Sequence, residues 1–286
     1  MKSLRLHYNL RMLCRALAVS RSGDYAWASR KPSTRAQENA RLELAIKAAH
    51  ARTRRSYGSE RLQKELQADG YCAGVCRIKR LRRKLGLRCV QRRRFKATTH
   101  ADHRLPVAPN LLAQRFVATR PNEVWVTDIT YIPTVEGWLY LAGIKDLYTR
   151  QLVGYAIGER MTKALVAHAL FQAVSIQRPP AGLIHHSDRG SQYCSPMYQR
   201  LLKQFGMTAS MSRRGNCYDN APMESFWGTL KTELIHQQHY STRQQAQQEI
   251  IEYIEIFYNR QRRHSRLGYL SPAAYAQQYY RTQHSA

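Results

Sequence analysis

HHSDRGSQY (residues 185–193) opens, and NCYDNAPMESFWGTLKTE (216–233) closes, the stretch that decides how this chain folds. Asp188 follows the β-like run 182–187 and precedes Arg189-Gly190-Ser191, where a strand gives way to a loop. Functional groups concentrate at such strand ends. Glu224 comes just after Asp219, Asn220 and Pro222, which have the character of cap and first-turn residues, and Met223, Trp227, Leu230 and Leu234 form an apolar stripe beside it. Glu224 is therefore expected one turn into an amphipathic helix. Lys231, seven positions on, falls near the same face, so one helix side offers a carboxylate and a cation able to hold a phosphate.

A third carboxylate, Asp128, interrupts VWVTDITYI (124–132), an apolar and β-branched run that reads as a buried strand. An unpaired carboxylate there loses hydration worth several kcal/mol unless a cation or hydrogen-bond donors compensate. A strand-end Asp that accepts backbone N–H groups or pairs with an Arg would satisfy the same requirement. Three carboxylates offer hard oxygen ligands, which suit magnesium or manganese better than zinc. His185 and His186 adjoin Asp188, but alternation along a strand points them to opposite faces, and at least one is expected to be structural.

At these residues the chain resembles a known family. Asp128, Asp188 and Glu224 match the carboxylates of the DDE transposase and retroviral-integrase catalytic core, including the thirty-five residues between the last two. HHSDRGSQY, CYDNAPMESFWGTLKTE and YNRQRRHSRLGYLSP (258–272) resemble the second reading frame product of IS-three-type bacterial insertion sequences. The resemblance implies an α/β fold: a ribonuclease H-like integrase core, a mixed five-stranded sheet with flanking helices, preceded by an all-α helix-turn-helix-like domain. Such a core sets the first and fourth strands side by side, bringing Asp128 to Asp188.

It also implies a catalytic set of Asp128, Asp188, Glu224 and Lys231, with the three carboxylates holding two magnesium or manganese ions. The expected reaction is DNA strand cleavage followed by 3′-hydroxyl strand transfer at insertion-sequence ends. Terminal inverted repeats and target DNA are the implied partners, with a homo-oligomer assembled on them. A hydrolytic nuclease of the same fold and a transposase-derived DNA-binding regulator are the alternatives, though the intact catalytic set argues against the regulator. Family members are commonly fused by frameshift to an upstream frame carrying a leucine zipper. Residues 1–40 hold no sustained apolar heptad, so the upstream product, or its fusion to this chain, is an expected partner for pairing two DNA ends.

Across the 286 residues the net charge is +27, and it is unevenly placed: residues 1–120 carry 29 Lys+Arg against 7 Asp+Glu, residues 121–286 carry 17 against 12. A polyanion is the implied partner, and no lipidation motif or amphipathic anchor accompanies the charge. Arg5, Arg11 and Arg15 break the apolar start, and no run approaches a membrane span, so a cytoplasmic, nucleoid-associated bacterial protein is expected. No Walker motif appears, and transesterification needs none. The six cysteines read as free thiols. Cys72 and Cys76, with His50 and His100 or His103, have the wrong spacing for a zinc site.

Residues 1–40 read as a short helix, then a Ser-, Gly- and Pro-rich turn and linker. Residues 41–100 read as the helix-turn-helix-like domain, 101–120 as a linker, 121–275 as the catalytic core and 276–286 as a tail. Helices are expected from Arg41, from Ser59 and over about Arg77–Leu85, the last interleaving Ile78, Leu81 and Leu85 with Arg77, Lys79, Arg80, Arg82 and Arg83. That pattern suits a recognition helix; a basic solvated helix in an ordinary bundle has the same composition. Arg92, Arg93 and Arg94 extend the basic track, and Arg262 and Arg263 in the 258–272 motif are further candidate DNA contacts, the motif being expected to pack on the core or touch DNA. Within the core the expected order is three strands, helix, strand, helix, strand and the Glu224 helix, then a helix over Arg243–Tyr258.

Overall fold

The structure, a computed structural model, describes residues 4–90 and 105–284. Leu10–Ala16 (α1) follows a short 3-10 turn and is capped by Asn9, whose side chain accepts from the Arg11 N–H. The passage expected to be turn and linker instead contains a helix, Arg21–Ser29 (α2). The Ser20 hydroxyl accepts from the Gly23 N–H at 3.0 Å, and Asp24 in the first turn complements the helix dipole. Gly23 thus sits inside a capped first turn and does not break the chain. Thr34–Arg52 (α3) also starts earlier than expected, because Ser33 caps it directly after Pro32.

Ser59–Ala68 (α4) and Val75–Lys84 (α5) complete a small helical domain with α3. Leu42, Ile46 and Ala49 meet Leu62, Leu66, Ile78 and Leu81 in its core, together with Tyr57. Each Leu or Ile buried there contributes about 1.5–3 kcal/mol relative to exposure. Replacing any one by a polar residue would open a bundle with no second core to fall back on.

The core sheet contains Val124–Thr134 (β1), Gly137–Asp146 (β2), Leu152–Gly158 (β3), Ile184–Ser187 (β4) and Thr208–Met211 (β5). Their order is β3-β2-β1-β4-β5, antiparallel across the first three and parallel from β1 to β4 and β4 to β5. This is the mixed five-stranded sheet expected of a ribonuclease H-like core. Both faces are covered, and the alternation in β1 shows it: Val124 and Val126 join one apolar layer, Trp125 the other.

Lys163–Gln177 (α6), Ser191–Cys194 (α7) and Pro196–Gln204 (α8) cover the Trp125 face. Gly154 lets α6 lie close on β3, since a Cβ there would meet the Ala169 carbonyl at 2.5 Å. The opposite face takes Ala221–Glu233 (α9), Arg243–Glu252 (α10) and its continuation Tyr253–Gln261, a π-helix that carries the expected helix three residues past Tyr258. The Asn259 side chain leaves this π-helix to accept from the Leu152 N–H and donate to the Leu152 carbonyl, both at 3.0 Å, on the edge strand β3. The Gln172 side chain of α6 accepts from Tyr155 N–H on the same strand.

Pro272–His284 (α11) ends the described chain, setting Tyr275 tilted and Tyr279 edge-on against Tyr148. The 258–272 motif returns against the helical domain: the Arg263 N–H donates to the Tyr57 hydroxyl at 2.5 Å and its Nε to Glu65 at 2.6 Å. Arg54 pairs with Glu252 at 3.1 Å. Cys14, Cys72, Cys76, Cys89 and Cys194 are all free.

Candidate active site

β1 and β4 run parallel with Val126 opposite His186, so Asp128 and Asp188 each lie two residues beyond a paired position. Inside the sheet the Asp128 carboxylate is held twice, Oδ1 accepting from the Ile129 N–H at 2.8 Å and Oδ2 from the Trp227 indole N–H at 3.1 Å. Asp188, just past β4, accepts from the Gly190 N–H at 2.9 Å. Glu224 stands exposed in the first turn of α9. Among the described residues no three His, Cys, Asp or Glu side chains are gathered into a ready-made metal-binding group.

The three carboxylates nevertheless share one field. Burial first, then the charge of Asp188 and to a lesser degree Glu224, push the Asp128 carboxyl up to about 8, against the pull of its two hydrogen bonds. A carboxyl raised in the folded protein binds a proton that the unfolded chain releases, so stability falls as pH climbs from about 4 toward 8. In chelator, Asp128→Asn is therefore expected to melt higher than the parent at pH 8 and to lose that margin at pH 5. A margin independent of pH would mean that Asp128 is under no such strain.

Lys231 is buried on α9 with its Nζ 4.8 Å from the Tyr131 ring centroid. Burial lowers its pKa, and the Asp128 charge works against that. It is less accessible than its shared helix face with Glu224 suggested.

The two histidines are structural. His186 donates from Nε2 to the Asp219 carbonyl at 2.9 Å, while Nδ1 meets the Ser210 hydroxyl at 2.8 Å. His185 meets the Tyr198 hydroxyl through Nε2, and burial drives its pKa down to about 3. Both rings are turned into the protein.

Three residues that build the site, Trp227, Asp219 and Asn220, have contacts that escape a sequence reading. Trp227, taken as part of an apolar stripe, orients Asp128 through its N–H; Gly143 makes room for it, since a Cβ there would stand 2.8 Å from the indole. Asp219 and Asn220 read as caps, but Asn220 donates to the Thr127 carbonyl and makes no cap bond. Asp219 is held by Arg213, Asn110 and Gln114, and Arg213 above all keeps its carboxyl well below the ordinary range. The start of the Glu224 helix is thereby tied to β1 through Asn220 and to β4 through His186. A run of Asp and Asn before a helix is the signal, but their partners are over ninety residues away in the first case and cannot be read locally.

The candidate DNA contacts divide. Lys79, Arg80 and Arg83 are exposed on α5. Arg77 bonds Asn39 and pairs with Glu38 at 3.0 Å, and Arg82 is buried, donating to Ser59 and Cys89 inside the helical domain. Arg262 is also buried: its guanidinium forms a two-pronged pair with Glu233, closest at 2.7 Å, and presents nothing to a DNA backbone. Arg263 is engaged by Glu65. Arg92, Arg93, Arg94, His100 and His103 lie outside the described residues. His50, which the zinc spacing had singled out, is buried, whereas Cys72 and Cys76 are exposed.

Comparison with known proteins follows the same layout. One family model described as an integrase core domain matches residues 118–217, a second of that description matches 224–280, and an HTH-like domain model matches 36–95. An insertion element IS600 uncharacterized 31 kDa protein of Shigella sonnei is 60% identical over 268 residues, 94% of this chain and 98% of its own. Transposase InsF for insertion sequence IS3A of Escherichia coli (strain K12) is 43% identical over 267 residues, 93% of each chain. Among solved structures, the HTLV-2 integrase catalytic core domain in complex with magnesium is 15% identical with a TM-score of 0.45, covering 56% of this chain and 99% of that one.

Proposed function

The chain belongs to the IS3 family of insertion-sequence transposases, and on that premise we propose that Asp128, Asp188 and Glu224 carry its DNA strand cleavage and 3′-hydroxyl strand transfer. A transposase of this kind is a polynucleotidyl transferase with an integrase core. The observation that carries the assignment is Asp128: a carboxylate inside a sheet, raised to about 8 by burial and by a second carboxylate just past the end of the neighbouring strand, asks for a cation. The donors are hard oxygens, and the nearby imidazoles are already hydrogen-bonded within the protein, which suits magnesium or manganese and not zinc. Asp128, Asp188 and Glu224 would hold two such ions, whose chemistry when bound would be activation of the attacking hydroxyl and stabilisation of the leaving oxygen in an in-line displacement.

The chain's own groups supply the rest. Trp227 and the Ile129 N–H fix the Asp128 carboxylate, and the Gly190 N–H fixes that of Asp188, so neither has to reorganise as charge develops. Lys231 places a cation in the field of Asp128, where it favours a bound phosphate. Terminal inverted repeats and target DNA are the proposed substrates, handled by a homo-oligomer. Fusion to an upstream frame product is proposed to supply the pairing of two ends, in the bacterial cytoplasm at the nucleoid. Among the described residues no helix is long and apolar enough to cross a membrane.

The test is to incubate the chain, alone and as its fusion, with duplex carrying an element end and magnesium, and to sequence the products. Joints between a freed 3′-hydroxyl and a new phosphate are expected. Cleavage with no joining at all would make the protein a hydrolytic nuclease.

Lys79, Arg80 and Arg83 are the α5 cations free to meet backbone phosphates, and each neutralised phosphate adds about 0.9 to the log–log salt slope. Replacing the trio with Ala is expected to reduce that slope by about 2–3, while Arg35→Ala leaves it alone. Arg82→Ala should instead lower the melting temperature. Equal slopes for the trio and Arg35 would put DNA on another face.

A further inference from the structure

Arg262 and Arg263 are neighbours in the 258–272 motif and point opposite ways. Arg262 turns in to Glu233, the last residue of α9. Arg263 turns out to the helical domain, its N–H donating to the hydroxyl of buried Tyr57 at 2.5 Å and its Nε to Glu65 of α4 at 2.6 Å. The loop that follows closes on itself: the His264 N–H donates to the Leu270 carbonyl at 2.9 Å, and Nη1 of Arg263 to the Tyr269 carbonyl at 3.3 Å. Tyr269 faces the helical domain too, and its hydroxyl donates to Glu60 of α4 at 3.1 Å.

The helical domain reaches back from the turn between α3 and α4. Arg54 pairs with Glu252 at 3.1 Å and lies 5.5 and 5.4 Å from the ring centroids of Tyr253 and Phe257. Arg55 donates to the Gln237 side chain at 3.4 Å. The Tyr253 hydroxyl meets Glu233 at 2.8 Å, so both halves of the contact lead to the C-terminal end of α9. Glu224 lies on that same helix, about 14 Å toward its N-terminus.

The backbone marks the same contact independently. Arg54 (φ 53°), Arg55 (φ 56°) and Tyr269 (φ 66°) are left-handed residues other than glycine, a costly conformation that persists where the surroundings hold it. Each of the three sends its side chain across to the other domain. The contact uses α4 and the turn before it, and Lys79, Arg80 and Arg83 on α5 stay exposed.

We propose that Arg54 and Arg263 are positioning residues: they clasp the helical domain to the end of α9, fixing the distance along DNA between the bases that α5 reads and the phosphate that is cut. The proposal rests on the strand-transfer assignment for the identity of that phosphate. Neither arginine belongs to the apolar clusters of the two domains, so replacing both releases the clasp without unfolding either.

The test compares the parent with Arg54→Gln/Arg263→Gln, as full chains on an element end. Hydroxyl-radical footprinting in calcium comes first, because it needs no chemistry. The parent is expected to protect two patches at a fixed separation, one that is lost on replacing Lys79, Arg80 and Arg83 and another over the terminal phosphates. The double variant should protect the first as before and need roughly 10-fold more protein for the second, the order of magnitude that one charge-assisted hydrogen bond contributes. Undiminished protection of both patches by the variant overturns the proposal.

Magnesium then separates positioning from stability. With base pairs inserted between the read sequence and the terminus, the parent should keep cutting at its fixed distance from the read sequence, whereas the double variant scatters its cuts. Arg263→Lys keeps a cation for Glu65 and should cut at the parental position, with Arg263→Gln scattering. Variants that cut less, but only at the parental position, have lost stability alone, and the proposal fails. Should the double variant not fold, the parent decides: cuts that follow the terminus and not the read sequence overturn the clasp. A parent that protects both patches at a fixed separation yet cuts nothing supports the clasp and removes the strand-transfer assignment.

Discussion

Asp128→Asn is expected to abolish both cleavage and joining while leaving duplex binding intact, and Asp188→Asn and Glu224→Gln should do the same. On the proposed assignment, Lewis-acid and nucleophile stabilisation of several kcal/mol would rest on these side chains, and at about 1.4 kcal/mol per decade its loss amounts to roughly 10³-fold or more in rate. Asn keeps an acceptor for the Trp227 N–H, so the sheet around position 128 should stand. The measurement pairs a strand-transfer assay with a gel-shift on the same element end. Joining within an order of magnitude of the parent by any of the three would remove that carboxylate from the site. Replacing magnesium by calcium should likewise leave binding and stop chemistry.

The second large effect is on stability. Arg262→Met leaves Glu233 buried with only the Tyr253 hydroxyl for company, and breaking a buried pair from one side costs about 3–5 kcal/mol. Burial works against the Arg262 charge, yet Glu233 outweighs it and holds the guanidinium above its ordinary pKa. Arg262→Met/Glu233→Leu should recover most of the loss, because both desolvated charges are gone. Urea unfolding of the two variants decides. An Arg262→Met protein as stable as the parent but weaker on DNA would restore Arg262 to the nucleic-acid surface.

The sheet and the Asp128 and Asp188 positions were legible because they break simple patterns: a carboxylate in a β-branched run, and another where a strand ends. α9 was legible from its stripe. What could not be read depends on partners remote in sequence. Arg82 and Arg262 look like any Arg in a basic run, and only Ser59 and Cys89 for the one, and Glu233 for the other, turn them inward. Trp227 counts as apolar in any periodicity, although its single N–H is what reaches Asp128. α2 was hidden by its own cap, since Ser20 and Gly23 are turn residues in composition and helix-starting residues in geometry. The π-helix after Glu252 has no sequence signal that a 3.6-residue period would expose.

Asn259 bears on how copies of this chain tolerate one another. β3 is an edge strand, and an open edge offers unpaired main-chain groups to any other chain that comes near. Here the amide of Asn259 takes both the N–H and the carbonyl of Leu152, and Gln172 takes the N–H of Tyr155, so side chains stand where a sixth strand would add. Chains that meet can then touch through helices and loops without joining at this edge of the sheet. The amide works as a selvedge, a finished border that keeps a woven sheet from knitting into its neighbour.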